Sequence, residues 1–339
     1  MNTPREFEPP DRTFEDVRYG KSDGVATITL NRPAAYNAYR TRTLQELIVA
    51  FQDASWDDSV AAIVYTGEGT RAFCTGGDVK EYAEIYTRKP RDYWKYMALF
   101  RTYIESILHA GKPVIARLNG IAVGGGNESQ LACDLTVMAE HAYVGQVGTS
   151  VGSVACAGAT QWLPLVVGDK RAREMLLLNP KIPARKALEW GLVNSVVPTV
   201  VREGRVVENP TPKEIESAHA GTAGFAIDLA RLDAEVASLA HQLKEKFPEC
   251  TRYTRTQTNA LKDLVWAMTV GHAQDWLSTH FGGVEPYEGM RAFVEKRRPD
   301  YARVRASEFL WGPPAKSCPC GAQGLPQGFE HCGKCGAKL

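Results

Sequence analysis

Two glycine-rich segments about fifty residues apart constrain this chain more than any other feature: residues 72–84 (AFCTGGDVKEYAE) and 119–135 (NGIAVGGGNESQLACDL). Each follows a strand-like run and leads into a segment of helical spacing. Glycine lets the backbone approach a ligand closely, and a helix N-terminus offers unsatisfied N–H groups at the positive end of a dipole. Alone, either element reads equally well as a structural tight turn. As a pair, each followed by an acidic residue, they point to main-chain donors converging on one oxygen, an oxyanion hole.

The elements around them alternate. Residues 25–33 (VATITLNRP) and 61–67 (AAIVYTG) are strand-like, and 42–56 between them carries apolar residues at helical spacing. Residues 112–120 and 134–140 read as further strands, with helices over 90–110, from about Glu128, over 170–178 and over 229–247. Such alternation predicts an α/β protein whose ligand sits where glycine-rich turns leave strand ends. Residues 201–228 are polar and punctuated by Gly and Pro, which suggests a surface insertion or linker. Forty Lys+Arg against 39 Asp+Glu leave a net charge of +1, so no field favours nucleic acid or an anionic membrane. The first twenty residues hold no apolar leader and no run of about 18 apolar residues follows, so a cytoplasmic location is expected.

Several stretches resemble landmarks of the crotonase (enoyl-CoA hydratase/isomerase) superfamily, in order along the chain. They are NRPAAYNAY (31–39), AFCTGGDVKE, KPVIARLNGIAVGGGNE, WGLVNSVVP (190–198) and GMRAFVEKRRPDY (289–301). The resemblance implies an acyl-CoA ligand and a β-β-α spiral core (ClpP-like) over residues 14–200, followed by the 201–228 insertion. It also implies a C-terminal helical region, residues 229–311, that mediates assembly into a trimer or dimer of trimers. By motif position the oxyanion N–H groups are those of Gly77 and Gly125, polarising a thioester carbonyl. Hydratases of the family hold water with two glutamates. The first is Glu128, in the first turn of a helix whose dipole is expected to depress its pKa; at the second position stands Gly148.

Gly148 with the following Gly152–Ser153 pair is similar to two specialised branches, the dihydroxynaphthoyl-CoA synthase-like cyclases and the ring-opening 6-oxocyclohex-1-ene-1-carbonyl-CoA hydrolases. Residues 75–86, 93–100, 158–168, 197–211 and 246–250 favour the latter. That branch implies hydration and then hydrolytic C–C cleavage of a cyclic oxo-enoyl-CoA in aromatic or alicyclic acid degradation, with Glu128 as the base. Simple hydration of another enoyl-CoA, cyclisation, and a weakly catalytic CoA-binding scaffold are the competing readings. Tyr82 and Tyr86, at helical i, i+4 spacing, are candidates to hold a ring ketone, with aromatic packing the alternative. Ser153 is a candidate for a substrate oxygen, Gln146 for orienting water, and His141 reads as a surface or cap residue. For CoA, the resemblance points to the Cys74–Asp78 loop, with Arg32, Arg40 and Lys296 as candidate phosphate contacts.

The last residues carry their own signal. Cys318, Cys320, Cys332 and Cys335 stand in C-x-C and C-x2-C knuckles with glycines beside them, within residues 316–339. Four thiolates so arranged suit a closed, structural Zn2+ site of zinc-ribbon kind, with docking to another subunit or a partner protein as its use.

Overall fold

The computed structural model describes residues 13–307, 316–323, 325 and 329–339. Its core is two sheets built in alternation. The chain runs through β1 (Val17–Ser22), β2 (Val25–Leu30), α1 (Thr41–Trp56), β3 (Ala62–Gly67), β4 (Ala72–Cys74), α2 (Val79–Glu81), α3 (Pro90–Leu108), β5 (Val114–Leu118) and β6 (Ile121–Val123). It continues through α4 (Gly125–Ala132), β7 (Leu135–Ala139), β8 (Tyr143–Gly145), α5 (Ala159–Val167), α6 (Asp169–Leu178), β9 (Ile182–Pro183), α7 (Ala184–Glu189) and β10 (Ser195–Val197). One sheet has the order β1-β2-β3-β5-β7-β10, parallel from β2 onward; the other has the order β4-β6-β8-β9. Successive turns thus give one strand to each sheet before a helix, the expected β-β-α spiral.

Local chemistry explains this. Strand β3 (AIVYTG) is buried at every position because helices cover both faces of a parallel sheet, hence its unbroken apolar run. Helix α1 buries Leu44, Leu47, Ala50, Phe51 and Ala54 along one stripe. Each fully buried large apolar side chain there contributes about 1.5–3 kcal/mol.

Strands β4 and β6 are neighbours in the second sheet, with Ala72 opposite Ile121 and Cys74 opposite Ala122. The loops leaving their C-terminal ends are the two glycine-rich segments. Parallel pairing therefore sets them side by side although they lie far apart along the chain.

Residues 200–228 fold. Strands β11 (Val200–Arg202), β12 (Arg205–Val207) and β13 (Phe225–Ile227) make a small sheet in the order β12-β11-β13. Helix α8 (Pro212–Ala220) packs on it around Val200, Ala218 and Phe225. Thr211 and Glu214 cap the helix reciprocally, and Gly221 ends it at φ +65°. Three-residue strands are too short to carry periodicity, so the sequence reads as linker.

His141 pins this unit to the core. Its ring nitrogens meet the Thr199 hydroxyl at 2.7 Å and the Thr70 carbonyl at 2.9 Å, and its ring lies edge-on to His219 at 5.2 Å. Burial pushes its pKa down to about 4. The reading of His141 as a surface or cap residue is corrected: it is a buried cross-link.

Helix α9 (Ala230–Lys244) lies on the first sheet through Leu232, Val236 and Ala240. Helix α10 (Pro248–His280) packs along α3, and its buried Arg255 donates to the Ile107, Leu108 and Ala110 carbonyls and to Asp134. These carbonyls lie at and just past the α3 C-terminus, where a guanidinium supplies donors and complements the helix dipole. Helix α11 (Val284–Val294) and helix α12 (Tyr301–Arg305) complete the body. The C-terminal region is therefore part of the core as well as a candidate for subunit contact.

Candidate active site

The two glycine-rich loops meet in space. A Cβ added to Gly76 would stand 3.0 Å from the Gly125 amide nitrogen, and one added to Gly126 would stand 2.0 Å from the Cys74 carbonyl. The glycines are required because the second loop has closed onto the first. Gly124 takes φ +54° to start helix α4 there, and Gly76 takes φ +88°. Among the described residues neither the Gly77 nor the Gly125 N–H has an acceptor. Two free donors stand on adjacent loops.

They open on a cavity of about 560 Å³. Its walls include Tyr39, Tyr82, Tyr93, Met97 and Phe100, and helix α11 adds Met290 and Phe293. Helix α11 reaches the cavity because the loop after β8 is pressed against it: a Cβ on Gly152 would stand 2.2 Å from the Glu285 carbonyl, and one on Gly289 would stand 2.2 Å from that of Val151. Besides the two amides, the polar lining includes Glu128, Gln146, Ser153 and, at one edge, Arg32, Asp78 and Lys80.

Glu128 sits in the first turn of α4, on the second loop's helix, and is buried; its Oε1 accepts from the Cys156 N–H at 2.9 Å. The expected depression of its pKa is corrected. Burial pushes the carboxyl up to about 8, with the Cys156 amide pulling the other way. Loss of water outweighs one hydrogen bond and the helix N-terminus, because a carboxylate without a cation bears the desolvation cost itself. A carboxyl poised there can take and return a proton near neutral pH.

The other sequence candidates divide. Tyr82 and Ser153 line the cavity, and a Cβ on Gly77 would stand 1.7 Å from the Tyr82 hydroxyl, which is paired with Tyr96 at 2.7 Å. Tyr86 lies outside the lining, its hydroxyl 2.6 Å from that of Thr41. Spacing of i, i+4 fails to keep the two hydroxyls together because residues 82–86 form a π-turn, with Thr87 N–H bonding the Tyr82 carbonyl, which inserts a residue. Gln146 is buried and its Nε2 has no partner among the described residues. Gly148 lines the cavity and is tightly packed, a Cβ there standing 3.1 Å from Ala155 N and the Ser153 carbonyl.

On the CoA side, Arg32 lines the cavity edge but bonds Asp78 at 2.9 Å and also the Ala38 carbonyl. The Asp78 side chain caps α2 through Lys80 N–H. Arg40 is turned away, held by Asp16 and Glu15. The Cys74 thiol is sealed in the core and pushed up to about 12 by burial, so that only its backbone belongs to the loop. Lys296 is exposed and outside the cavity lining. Sequence reasoning missed Lys80, a cation in the lining, and Tyr39, quoted only as the end of a matching stretch.

The four tail thiols form a second site. Their sulfurs lie within 4.8 Å of one another, with Cys318 and Cys335 3.5 Å apart and Cys320 and Cys332 3.7 Å apart. Turns at Gly321 (φ +87°) and Gly336 (φ +75°) follow the knuckles, and the Lys334 N–H donates to the Cys332 sulfur at 3.4 Å. Such a set can hold a metal ion.

Comparison with known proteins agrees with the fold. The profile of the enoyl-CoA hydratase/isomerase family matches residues 20–211, and the chain belongs to that family, the crotonase superfamily. It is an enzyme acting on acyl-CoA. Among curated proteins it is similar to 6-oxocyclohex-1-ene-1-carbonyl-CoA hydrolase of Geobacter metallireducens, 37% identical over 83% of this chain and 80% of that one. The hydrolase of the same name from Thauera aromatica is 35% identical over 79% of this chain and 76% of its own. Among solved structures, an enoyl-CoA hydratase/isomerase from Xanthobacter autotrophicus Py2 superposes with a TM-score of 0.66 at 28% identity, covering 86% of this chain and 99% of that one. An enoyl-CoA hydratase from Mycobacterium avium subsp. paratuberculosis has the same fold, with a TM-score of 0.69 at 24% identity over 85% of this chain and 99% of that one. Among the described residues no helix is long and apolar enough to cross a membrane.

Proposed function

We propose that this enzyme hydrates a cyclic oxo-enoyl-CoA of the 6-oxocyclohex-1-ene-1-carbonyl type and then opens its ring by hydrolysis, in aromatic or alicyclic acid degradation. One observation carries the reading: among the described residues Glu128 is the only carboxylate in the cavity lining not paired with a cation, in a cavity whose relatives bear the ring-opening name. A reaction run by one proton-shuttling carboxyl fits this better than hydration by two.

In this mechanism the thioester oxygen docks on the Gly77 and Gly125 amides. Glu128 takes a proton from water, whose hydroxide adds to the β-carbon of the conjugated C=C. The electron pair moves into the enolate held by the two amides, and Glu128 returns the proton to the α-carbon. A second water, deprotonated by the same carboxylate, attacks the ring ketone. The bond between ketone carbon and α-carbon breaks, its electrons returning to the thioester enolate, which Glu128 protonates. The product is an open-chain hydroxy-dicarboxylic monothioester two waters heavier than the substrate. Stabilising the enolate in both halves is the largest contribution, each donor being worth about 3–4 kcal/mol. Ser153 and Tyr82 hold the ring oxygen, the aromatic walls select a compact ring, and Arg32, Lys80 and Lys296 are the candidate cations for the CoA phosphates.

The tail is read as a structural Zn2+ site. Tetrahedral thiolates about 2.3 Å from zinc lie about 3.8 Å apart, close to the two short sulfur pairs. Four protein ligands leave no open position, so its use is folding the tail and docking it to a subunit or partner protein. For assembly, Leu261, Leu264 and Met268 make an exposed stripe at i, i+3, i+7 on α10, which favours the trimer or dimer of trimers.

The test is product mass. Incubated with 6-oxocyclohex-1-ene-1-carbonyl-CoA, the protein should add two waters, and it should leave crotonyl-CoA largely unchanged. Addition of a single water to either ester would replace ring opening by hydration. No reaction with either would favour the CoA-binding scaffold.

A further inference from the structure

We propose that Tyr39 is a catalytic residue whose hydroxyl donates a third hydrogen bond to the oxygen gripped by the Gly77 and Gly125 amides. The proposal rests on the acyl-CoA reading of the site.

Three observations support it. First, the hydroxyl is at the hole: a Cβ added to Gly125 would stand 1.7 Å from the Tyr39 oxygen. Second, that oxygen is unspent. Around it Tyr82 bonds Tyr96, Tyr65 bonds Tyr103 and Tyr86 bonds Thr41, but the Tyr39 hydroxyl has no partner among the described residues. The residue is only 2% exposed and lines the cavity, so its unpaired hydroxyl is left to meet what enters there.

Third, Tyr39 is fixed in place by the hole itself. Its N–H bonds the Gly76 carbonyl at 2.9 Å and its carbonyl accepts from Asp78 N–H at 2.8 Å, so its backbone brackets Gly77 in a parallel bridge. Its ring stacks on Phe100 at 5.3 Å. One residue thus aligns the first donor through its main chain and stands beside the second with its side chain. Preorganised donors of this kind act where charge develops, without reorganising as the reaction proceeds.

The chemistry is consistent. As the carbonyl becomes an enolate its oxygen gains a full charge and accepts a third hydrogen bond readily. Burial, with Tyr82 and Glu128 close by, holds the phenol well above its ordinary pKa, so it stays a donor and adds no negative charge to the hole.

Tyr39→Phe tests this, because it removes one oxygen and keeps the ring, the stacking and the main-chain bridge. Two readouts are taken: steady-state turnover of the cyclic oxo-enoyl-CoA, and the near-ultraviolet enolate band of bound acetoacetyl-CoA, which forms without ring opening. A thermal melt and the affinity for free CoA check that the variant is folded. The expected result is a 10- to 100-fold fall in kcat with KM changed less than about threefold. The enolate fraction of bound acetoacetyl-CoA should fall while the melt and CoA affinity hold. A variant whose kcat and enolate band both stay within twofold of wild type overturns the proposal. Wild type that gives no enolate band sinks the acyl-CoA reading itself. Wild type that gives the band yet leaves the cyclic ester intact removes only the ring-opening assignment, and the band still decides for or against Tyr39.

Discussion

Replacing Glu128 by Gln should abolish turnover and make the folded protein more stable at alkaline pH. The carboxyl lies in the cavity wall with no cation beside it, and burial moves its pKa from 4.5 to about 8. At about 1.4 kcal/mol per pH unit, ionising it in the folded state costs up to about 5 kcal/mol. The sign follows from proton linkage. Between pH 4.5 and 8 the folded state holds a proton that the unfolded state has released, so wild-type stability falls as pH rises. Below 4.5 both states are protonated and above 8 both are ionised, so the effect is absent at one end and complete at the other.

Gln has the same shape, carries no charge, and its amide oxygen can still accept from the Cys156 N–H. The difference between variant and wild type should therefore be near zero at pH 4.5, grow through about pH 6 and 7, and level off above 8 at several kcal/mol. Denaturant unfolding followed by tryptophan fluorescence across this pH range measures it. A difference that does not change with pH would mean that Glu128 ionises as an ordinary solvated carboxyl, and the argument from desolvation would fail. In the same series, kcat of the wild type should rise with pH through about 8 where Glu128 acts as base, and the Glu128→Gln variant should lose at least about a hundredfold.

Four further outcomes are expected. Gly125→Ala places a methyl 1.7 Å from the Tyr39 hydroxyl, and should cost about 100- to 1000-fold in kcat by displacing one donor, as stopped-time product assays would register. Tyr86→Phe, outside the cavity, should change kcat less than about twofold while losing about 1 kcal/mol of stability with its Thr41 bond, in a paired kinetic and unfolding measurement. Cys320→Ser should lower bound zinc below about half the wild-type content by plasma emission while acyl-CoA turnover persists. Met268→Glu should shift the elution of the protein in size-exclusion chromatography toward monomer if the α10 stripe is a subunit contact.

Much of the architecture was legible because it is written in patterns that local physics enforces. The buried strand β3 reads as an unbroken apolar run, and α3 and α9 appear within a few residues of where their spacing puts them. The meeting of the two glycine-rich loops was legible for a related reason: glycine is dictated where Gly126 comes against the Cys74 carbonyl, and that demand shows in the letters. Other features depend on distances no spacing encodes. The sequence shows Glu128 in a first helical turn and suggests a lowered pKa; only the three-dimensional wall around it reveals that water is gone and the shift is upward. Tyr82 and Tyr86 look equivalent until a π-turn separates their hydroxyls, and Arg40 looks free until Asp16 and Glu15 are found holding it. Tyr39 carries no sign of its own, since its importance comes from which neighbour its oxygen lacks.

The packing of Gly148 bears on how readily such an enzyme changes its chemistry. A side chain starting there heads first into the Ala155 amide and the Ser153 carbonyl. Installing a side chain at that point would therefore need those two groups to give by a few tenths of an ångström, on a 148–156 loop clamped against α11 by the close approaches at Gly152 and Gly289. The room for a side chain at residue 148 is thus set by how far a clamped loop yields, which ties this point of the cavity wall to the seating of a helix far along the chain.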